Sequence, residues 1–195
     1  MMIGQVYGGG NEADSRVGNI TIGCTGTLTD AHRAVAADAG ATPPSAIGYT
    51  LEGIGDVYGG ANNATITGNV TLNINSGIIY RVFGANNTGK KVTGTITVNI
   101  AKNSGATCAS DWYVGYVFGG GNNAPYGTAG NNYPAVNHTA GKVTYNVYGG
   151  GKGNTAIVTG NPQVTLSGTA EVGGNVYGGG DAAAVTGSTK VTLRD

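Results

Sequence analysis

Residues 84–91, Gly-Ala-Asn-Asn-Thr-Gly-Lys-Lys, come close to the phosphate-binding loop of nucleotide-binding proteins. That loop requires Ser or Thr after its lysine to hold Mg²⁺, and a helix follows it. Here Lys91 stands in that position, and residues 92–98 alternate apolar side chains with Thr as a strand does. Because the structural context differs, we expect no nucleotide site and no cofactor.

Two glycine-rich stretches combine glycine with carboxylates, as calcium-binding repeats do. Residues 8–14 read Gly-Gly-Gly-Asn-Glu-Ala-Asp, and residues 178–181 read Gly-Gly-Gly-Asp. The calcium-binding nonapeptide repeat has a Gly-x-Asp spacing that both stretches lack. Calcium takes about six to eight oxygen ligands, and acidic residues are sparse in this chain. We therefore predict no metal site.

Carboxylates and histidines are the remaining groups with catalytic chemistry. The carboxylate candidates are Asp30, Asp38, Glu52, Asp56 and Asp111. Glycoside hydrolysis needs two carboxyl groups that face each other across the bond, and no pair recurs at a spacing that places both on one face. His32 and His138 are far apart in the sequence and have no evident nucleophile beside them. We predict no catalytic residues and a protein that is not an enzyme. The alternative is a polysaccharide-acting lyase or glycoside hydrolase.

The elements that must position any site are set by a repeated phrase, Val-aromatic-Gly-Gly. It begins at six valines, the third of which opens the shorter variant Val-Phe-Gly-Ala: Val6, Val57, Val82, Val117, Val147 and Val176. A second phrase follows most copies, as in residues 66–72 and 92–98, where apolar residues alternate with Thr around a Gly. Recurrence at tens of residues indicates a stacked repeat architecture, and the alternation indicates short strands. We predict an all-β fold, a right-handed parallel β-helix of about six coils with loop insertions.

Stacking predicts columns of equivalent residues along the axis. The anchor valines form an inward column, and the aromatic residues after them form a second one, either exposed on the surface or covered as a small second core. Polar positions after the glycines predict a third column: Asn11, Asn62, Asn86, Asn122 and Asp181, with Lys152 as the exception. Threonines of the second phrase predict an outer column: Thr21, Thr71, Thr97, Thr165 and Thr192. Threonine arrays of this kind also leave an ice-binding solenoid as a weaker alternative.

The fourth coil leaves two registers open. Either residues 143–145 or residues 136–138 hold its second strand, with Val143 before the anchor strand in the latter case. We assign residues 1–195 to a single solenoid domain, with insertions at about 25–56, 101–116 and 122–142. The resemblance described below implies that it is part of a longer repeat protein.

The composition excludes several classes of protein. Ten basic and ten acidic residues cancel, and charged residues make up only 10% of the chain, so we expect neither nucleic-acid binding nor membrane insertion. The first residues lack a basic region followed by a long apolar stretch, so no signal peptide is visible. Cys24 and Cys108 show neither a disulfide framework nor metal-ligand spacing, and whether they pair stays open.

The alternating Val-Tyr-Gly-Gly-Gly-Asn and Val-Thr-Gly-x-Val-Thr-Leu phrases resemble the repetitive β-strand domains of large bacterial surface and secreted proteins, which are adhesin-like. The resemblance implies an extracellular or cell-surface, non-enzymatic scaffold that binds a glycan or a surface protein through its insertion loops. Exposed aromatic residues dominate binding hot spots, which makes Trp112, Tyr113 and Tyr116 the candidate contacts. Neither end carries an amphipathic cap, so we also expect loop coverage or end-to-end or edge-mediated self-association.

Overall fold

The computed structural model describes residues 2–23, 53–101, 113–127 and 131–195. Twelve β-strands make up the regular structure of these ranges, which contain no helix and therefore none that could span a membrane. The strands are β1 (Met2–Tyr7), β2 (Gly18–Ile22), β3 (Gly53–Tyr58), β4 (Val70–Ile74), β5 (Ile78–Phe83), β6 (Ile96–Ile100), β7 (Tyr113–Phe118), β8 (Ala135–Val143), β9 (Val147–Tyr148), β10 (Gln163–Val172), β11 (Val176–Tyr177) and β12 (Lys190–Leu193).

Every strand pairing among the described residues is parallel, and most join a strand to the one two places along the chain. The odd-numbered strands form one wall, in the order β1-β3-β5-β7-β9-β11, and the even-numbered strands form a second. The pairing places all six anchor valines in one column, from Val6 to Val176. A chain that pairs each strand with its equivalent in the next repeat must wind around an axis. The prediction of an all-β, parallel β-solenoid is therefore confirmed.

A third wall, in which successive repeats are joined by single β-bridges, completes the cross-section of the solenoid. These bridges stack Ser15, Ile66, Val92, Tyr126, Val158 and Val185. Inward side chains of the three walls form one apolar core, in which the side chains of Val57, Ile66 and Leu72 are inaccessible to solvent. Burying each such side chain contributes about 1.5–3 kcal/mol to folding. The core is therefore the main source of stability, and outward positions are left for other roles.

The fourth repeat adopts the second of its two possible registers. Val136 in β8 pairs with Val98 on one side and Val164 on the other, so residues 135–138 hold the second-strand position. The same strand continues to Val143, which pairs with Val114 of the first wall. One long strand thus serves both walls and joins them into a single sheet.

The predicted threonine column is wrong, because the threonines are divided between two outer columns. Thr71 pairs with Thr97, whereas Thr21 pairs with Asn73. Thr165 lies in the second column as well, beside Asn137. A slip of two residues keeps every side chain on the same face of the sheet. The alternation therefore defines the outer face but not the register along it.

Three strands begin inside the ranges that the sequence assigned to insertions: β3 at Gly53, β7 at Tyr113 and β8 at Ala135. Residues 25–52 of the first insertion and 102–112 of the second lie outside the described residues. The same is true of several predicted groups: Cys24, Asp30, His32, Asp38, Glu52, Cys108, Asp111 and Trp112.

His138 occupies an inward position of the second wall, where the repeats on either side place aliphatic residues. It pairs with Ile100 and Leu166, and its side chain is inaccessible to solvent. Its Nε2 donates a hydrogen bond of 2.8 Å to the carbonyl oxygen of Gly141, and Nδ1 has no hydrogen-bond partner among the described residues. Burial lowers the pKa of His138 below 6.5, and the backbone carbonyls of Gly141 and Ala140 offset only part of that effect.

We expect the stability of the fold to fall as the pH drops below about 6.5, the pKa of an unfolded histidine. The neutral ring is favoured in the folded state, so the unfolded chain binds an extra proton in the window between the two pKa values. Urea unfolding at several pH values measures this slope. His138→Leu restores an aliphatic side chain to the column and is expected to flatten the slope between pH 6.5 and the folded-state pKa. An unchanged slope in that variant would assign the pH dependence to other groups.

Candidate functional site

The outer face of the first wall carries a continuous stack of aromatic rings, which we call the aromatic ladder. It consists of Tyr7, Tyr58, Phe83, Phe118, Tyr148 and Tyr177. Successive rings lie 4.8–5.0 Å apart between centroids, and their planes differ by at most 11°. The ring spacing matches the spacing of paired strands, about 4.8 Å. The strand pairing therefore sets the stacking distance.

The ladder forms a second apolar cluster, separate from the core inside the solenoid. Strand alternation explains the separation, because Val57 points inward and its neighbour Tyr58 points outward. Stacking covers both faces of the middle rings, and Phe83 and Phe118 are almost completely buried. Of the two arrangements that the sequence left open, the ladder adopts that of a small second core.

A glycine column lets neighbouring repeats approach closely next to the ladder. Gly84 directly follows Phe83, and a Cβ built at Gly84 would overlap the carbonyl oxygen of Gly119 in the next repeat and the side chain of Ile96. Only a residue without a side chain fits between backbones at this distance. The glycines of the repeated phrase therefore keep the aromatic rings in register.

One side of the ladder is bordered by a column of amides. Asn62, Asn87 and Asn122 each donate from Nδ2 to Oδ1 of the previous asparagine, at 2.7, 2.9 and 3.0 Å, beginning with Asn11 as the first acceptor. The sequence assigned Asn86 to this column, and that assignment is wrong. The third repeat has Ala85 and Asn86 where the second has Gly60 and Ala61, so Asn87 is the equivalent of Asn62.

The opposite side carries a bidentate ion pair and several aromatic side chains. Arg81 donates from Nε and Nη2 to the two carboxylate oxygens of Asp56, at 2.6 and 2.7 Å. Tyr116 lies next along the same outer column, where it contacts Tyr80 edge to face and stacks on Tyr145 at 4.7 Å. This border therefore combines a neutralised charge pair with phenol rings.

Between the two borders lies a groove of about 1000 Å³, which we call the aromatic groove. The ladder residues Tyr58, Phe118 and Tyr148 belong to its lining, and its borders extend from Gln5 in the first repeat to Asp181 in the last. The polar residues of the lining include Asn87, Asn122, Asn146 and Lys152. The groove follows the solenoid axis, so it suits a long ligand that lies across several repeats.

Stacking within the ladder determines what its rings can offer a ligand. Both faces of each middle ring are used on neighbouring rings, and Tyr58, Phe83 and Phe118 are at most 1% exposed, so polar groups along the groove remain as the main contacts for a ligand. The Tyr148 hydroxyl accepts a hydrogen bond of 3.0 Å from Asn146 Nδ2 and keeps its own proton to donate. Hydrogen bonding by hydroxyl and amide groups is therefore the main chemistry of this surface.

Burial and nearby charge hold the phenols of the groove in their neutral form. Burial raises the pKa of Tyr58 far above 10, and the Asp56 carboxylate adds to that effect. Burial also raises the pKa of Tyr148, where the hydrogen bond from Asn146 lowers it and the charge of Asp181 raises it. These hydroxyls are therefore hydrogen-bond donors at neutral pH and do not act as bases.

The residues predicted as contacts have different positions relative to the groove. Tyr116 lies in its lining. Tyr113 belongs to β7, and Trp112 lies outside the described residues. Sequence reasoning missed Asn87, Lys152 and Asp181 as site residues, although their recurrence after the glycines was visible.

The carboxylates of the groove lining do not form a catalytic pair. Asp56 and Asp181 are separated by four strand spacings, about 19 Å along the axis. Paired glycosidase carboxylates lie about 5–10 Å apart. Across the described part of the chain, no three His, Cys, Asp or Glu residues cluster closely enough to hold a metal ion. The glycine-lysine segment 84–91 forms a corner of the solenoid, where Asn87 and Thr88 bond to the backbone of the previous repeat.

Comparison with protein-family models, curated proteins and solved structures gives no match.

Proposed function

We propose that the protein is a non-enzymatic, adhesin-like scaffold at the cell surface or outside the cell, and that it binds an extended glycan along the aromatic groove. The observation that carries this proposal is the groove itself, which places a column of amide groups in register beside the aromatic ladder, along the solenoid axis. The surface location rests on the resemblance of the repeated phrases to bacterial surface proteins.

The length of the groove favours a polymer over a small molecule. Its lining extends over five strand spacings, from Gln5 to Asp181, or about 24 Å. A regular chain of sugars presents similar groups at regular intervals, and the amide column offers similar groups on successive repeats. We therefore place the ligand lengthwise in the groove.

The chemistry of the lining favours hydroxyl-rich ligands. Asn62 and Asn122 each use one N–H on the previous asparagine and retain a second, whereas Asn87 donates to both Asn62 and the Tyr7 hydroxyl. The ion pair of Asp56 and Arg81 contributes little net charge, and most other lining groups are uncharged. Sites with a few placed polar groups on an apolar surface are typical of specific small-molecule and sugar binding.

We further propose that the solenoid is a right-handed parallel β-helix of six coils, one for each anchor valine. Parallel strands joined by a crossover connection are right-handed in about 98% of cases. The six valines lie in one column, which supports one anchor strand in each coil.

We expect Asn122→Ala to lower the affinity for a bound glycan about three- to tenfold, because one hydrogen-bonding group of the groove is lost. A glycan array first identifies the ligand, and titration calorimetry then measures the affinity of each variant. Asn137→Ala is the matched control. Asn137 ends an equivalent amide column on the second wall, where it donates to Asn99 at 3.0 Å. Equal losses of affinity in the two variants, or no loss in either, would show that the glycan does not bind in the aromatic groove.

A further inference from the structure

The amide column of the aromatic groove is interrupted at its last two positions. Asn11, Asn62, Asn87 and Asn122 are followed by Lys152 and Asp181, which hydrogen bonds between neighbouring backbones place in the same column. Both charged side chains line the groove. One end of the groove, away from the Asp56–Arg81 ion pair, therefore presents an ammonium group and a carboxylate on adjacent repeats.

These two side chains differ from the other charged pair of the groove. Asp56 and Arg81 satisfy each other with two short hydrogen bonds. Lys152 and Asp181 make no side-chain hydrogen bond or ion pair with any residue that the structure describes. Their hydrogen-bonding capacity is therefore available to a ligand in the groove.

Neutral donors lie on the same stretch of the groove as Lys152. Asn122 occupies the preceding position of the column, and the Tyr148 hydroxyl keeps a proton to donate. An ammonium group with hydroxyl and amide donors nearby suits a carboxylate, since hydrogen bonds that involve a charged group are about twice as strong as neutral ones. Asp181 can only accept, and sugar hydroxyls are suitable donors for it.

We propose that the Lys152 end of the aromatic groove is a subsite for a carboxylate-bearing sugar, whose neighbouring hydroxyl groups donate to Asp181. The inference rests on the proposed glycan-binding function and narrows its ligand to acidic glycans. Lys152 supplies the attraction for the carboxylate, and Asp181 limits it by repulsion while orienting the hydroxyls.

Two matched probes test the subsite: a uronic-acid hexasaccharide and the same hexasaccharide with its carboxyl groups reduced to alcohols. We expect the acidic probe to bind the wild-type protein more tightly. Lys152→Gln is expected to lower the affinity for the acidic probe about five- to tenfold, since a charge-assisted contact is lost. The affinity for the reduced probe should stay almost unchanged. Added salt should weaken binding of the acidic probe to the wild-type protein only, because screening acts on charge.

Two further variants complete the experiment. Lys190→Gln removes an exposed lysine on the second wall and is expected to change neither affinity. Asp181→Asn should strengthen binding of the acidic probe, because a like charge is removed, and weaken binding of the reduced probe. If both probes bind equally and Lys152→Gln has no effect, the subsite is overturned while the proposed function stands. If neither probe binds the wild-type protein and no glycan binds on the array, the proposed function fails and the subsite with it.

Discussion

Phe118→Ala is expected to lower the free energy of unfolding by about 3–5 kcal/mol, the usual cost of removing a buried aromatic side chain. Phe118 is 1% exposed and stacks on Phe83 at 4.8 Å and on Tyr148 at 4.9 Å. Its removal opens a cavity in the middle of the aromatic ladder and uncovers one face of each neighbouring ring. The loss is large because the ladder is a second core, separate from the apolar interior of the solenoid.

Urea unfolding followed by circular dichroism measures this loss, and Tyr177→Ala is the control. Tyr177 ends the ladder, is 43% exposed and stacks on one ring only, at 4.9 Å from Tyr148. We expect its replacement to cost about 1–2 kcal/mol, from partial burial and one stacking contact. Similar losses in the two variants would show that the ladder does not stabilise the fold as a packed cluster.

Asn86→Ala is expected to destabilise the protein by about 3–5 kcal/mol, because buried polar groups left without partners cost about 1–3 kcal/mol each. Oδ1 of Asn86 accepts a hydrogen bond of 2.8 Å from the backbone N–H of Ala61, and Nδ2 donates to the carbonyl oxygens of Ala64 and Lys90 at 2.7 and 2.8 Å. The side chain is inaccessible to solvent. The Asn86 side chain therefore satisfies backbone groups of two neighbouring repeats at the corner where they meet.

The adjacent residue provides the control for this prediction. Asn87 has the same chemistry but lies in the outer amide column, where water replaces lost partners, so we expect Asn87→Ala to cost at most about 1 kcal/mol. Urea midpoints of the two variants compare the inner and outer amides directly. A greater loss for Asn87→Ala would contradict the assignment of Asn86 to the interior and Asn87 to the column.

The sequence was sufficient to predict the solenoid because its phrases recur and alternate. Val57, Val82 and Val117 each begin a copy of the repeated phrase, and the strands pair in the register that these copies define. The register of residues within the columns was harder to predict from the sequence. Asn86 and Asn87 are adjacent, and only the backbone bonds between repeats decide which of them lies over Asn62.

The groove was beyond prediction for a different physical reason. Its borders come from side chains at separate positions in the phrase, such as Tyr116 before the anchor valine and Asn122 after the glycines. Whether such columns enclose a groove depends on the distance between them across the wall, which no spacing in the sequence encodes. In the sequence, Lys152 is an exception to the column of asparagines. Its role as a charged contact could be inferred only once the mostly uncharged lining around it was known.

The ladder and the groove have different roles in this account. The stacked rings fix the geometry of the outer wall, because their faces contact one another and the middle rings are buried. The flanking amides and charges then make the specific contacts with a ligand. A rigid floor of this kind holds the polar groups in position before binding, which reduces the entropy lost when the ligand binds.

The most direct test of glycan binding along the groove is a titration followed by the NMR signals of the asparagine side-chain amides. The described residues include amide columns on two different walls, one with Asn87 and Asn122 in the groove and one with Asn99 and Asn137 outside it. On addition of the oligosaccharide selected by the glycan array, we predict that the signals of Asn87 and Asn122 shift in proportion to the bound fraction while those of Asn99 and Asn137 stay in place. Shifts confined to Asn99 and Asn137, or binding with no shift at Asn87 and Asn122, would contradict the account.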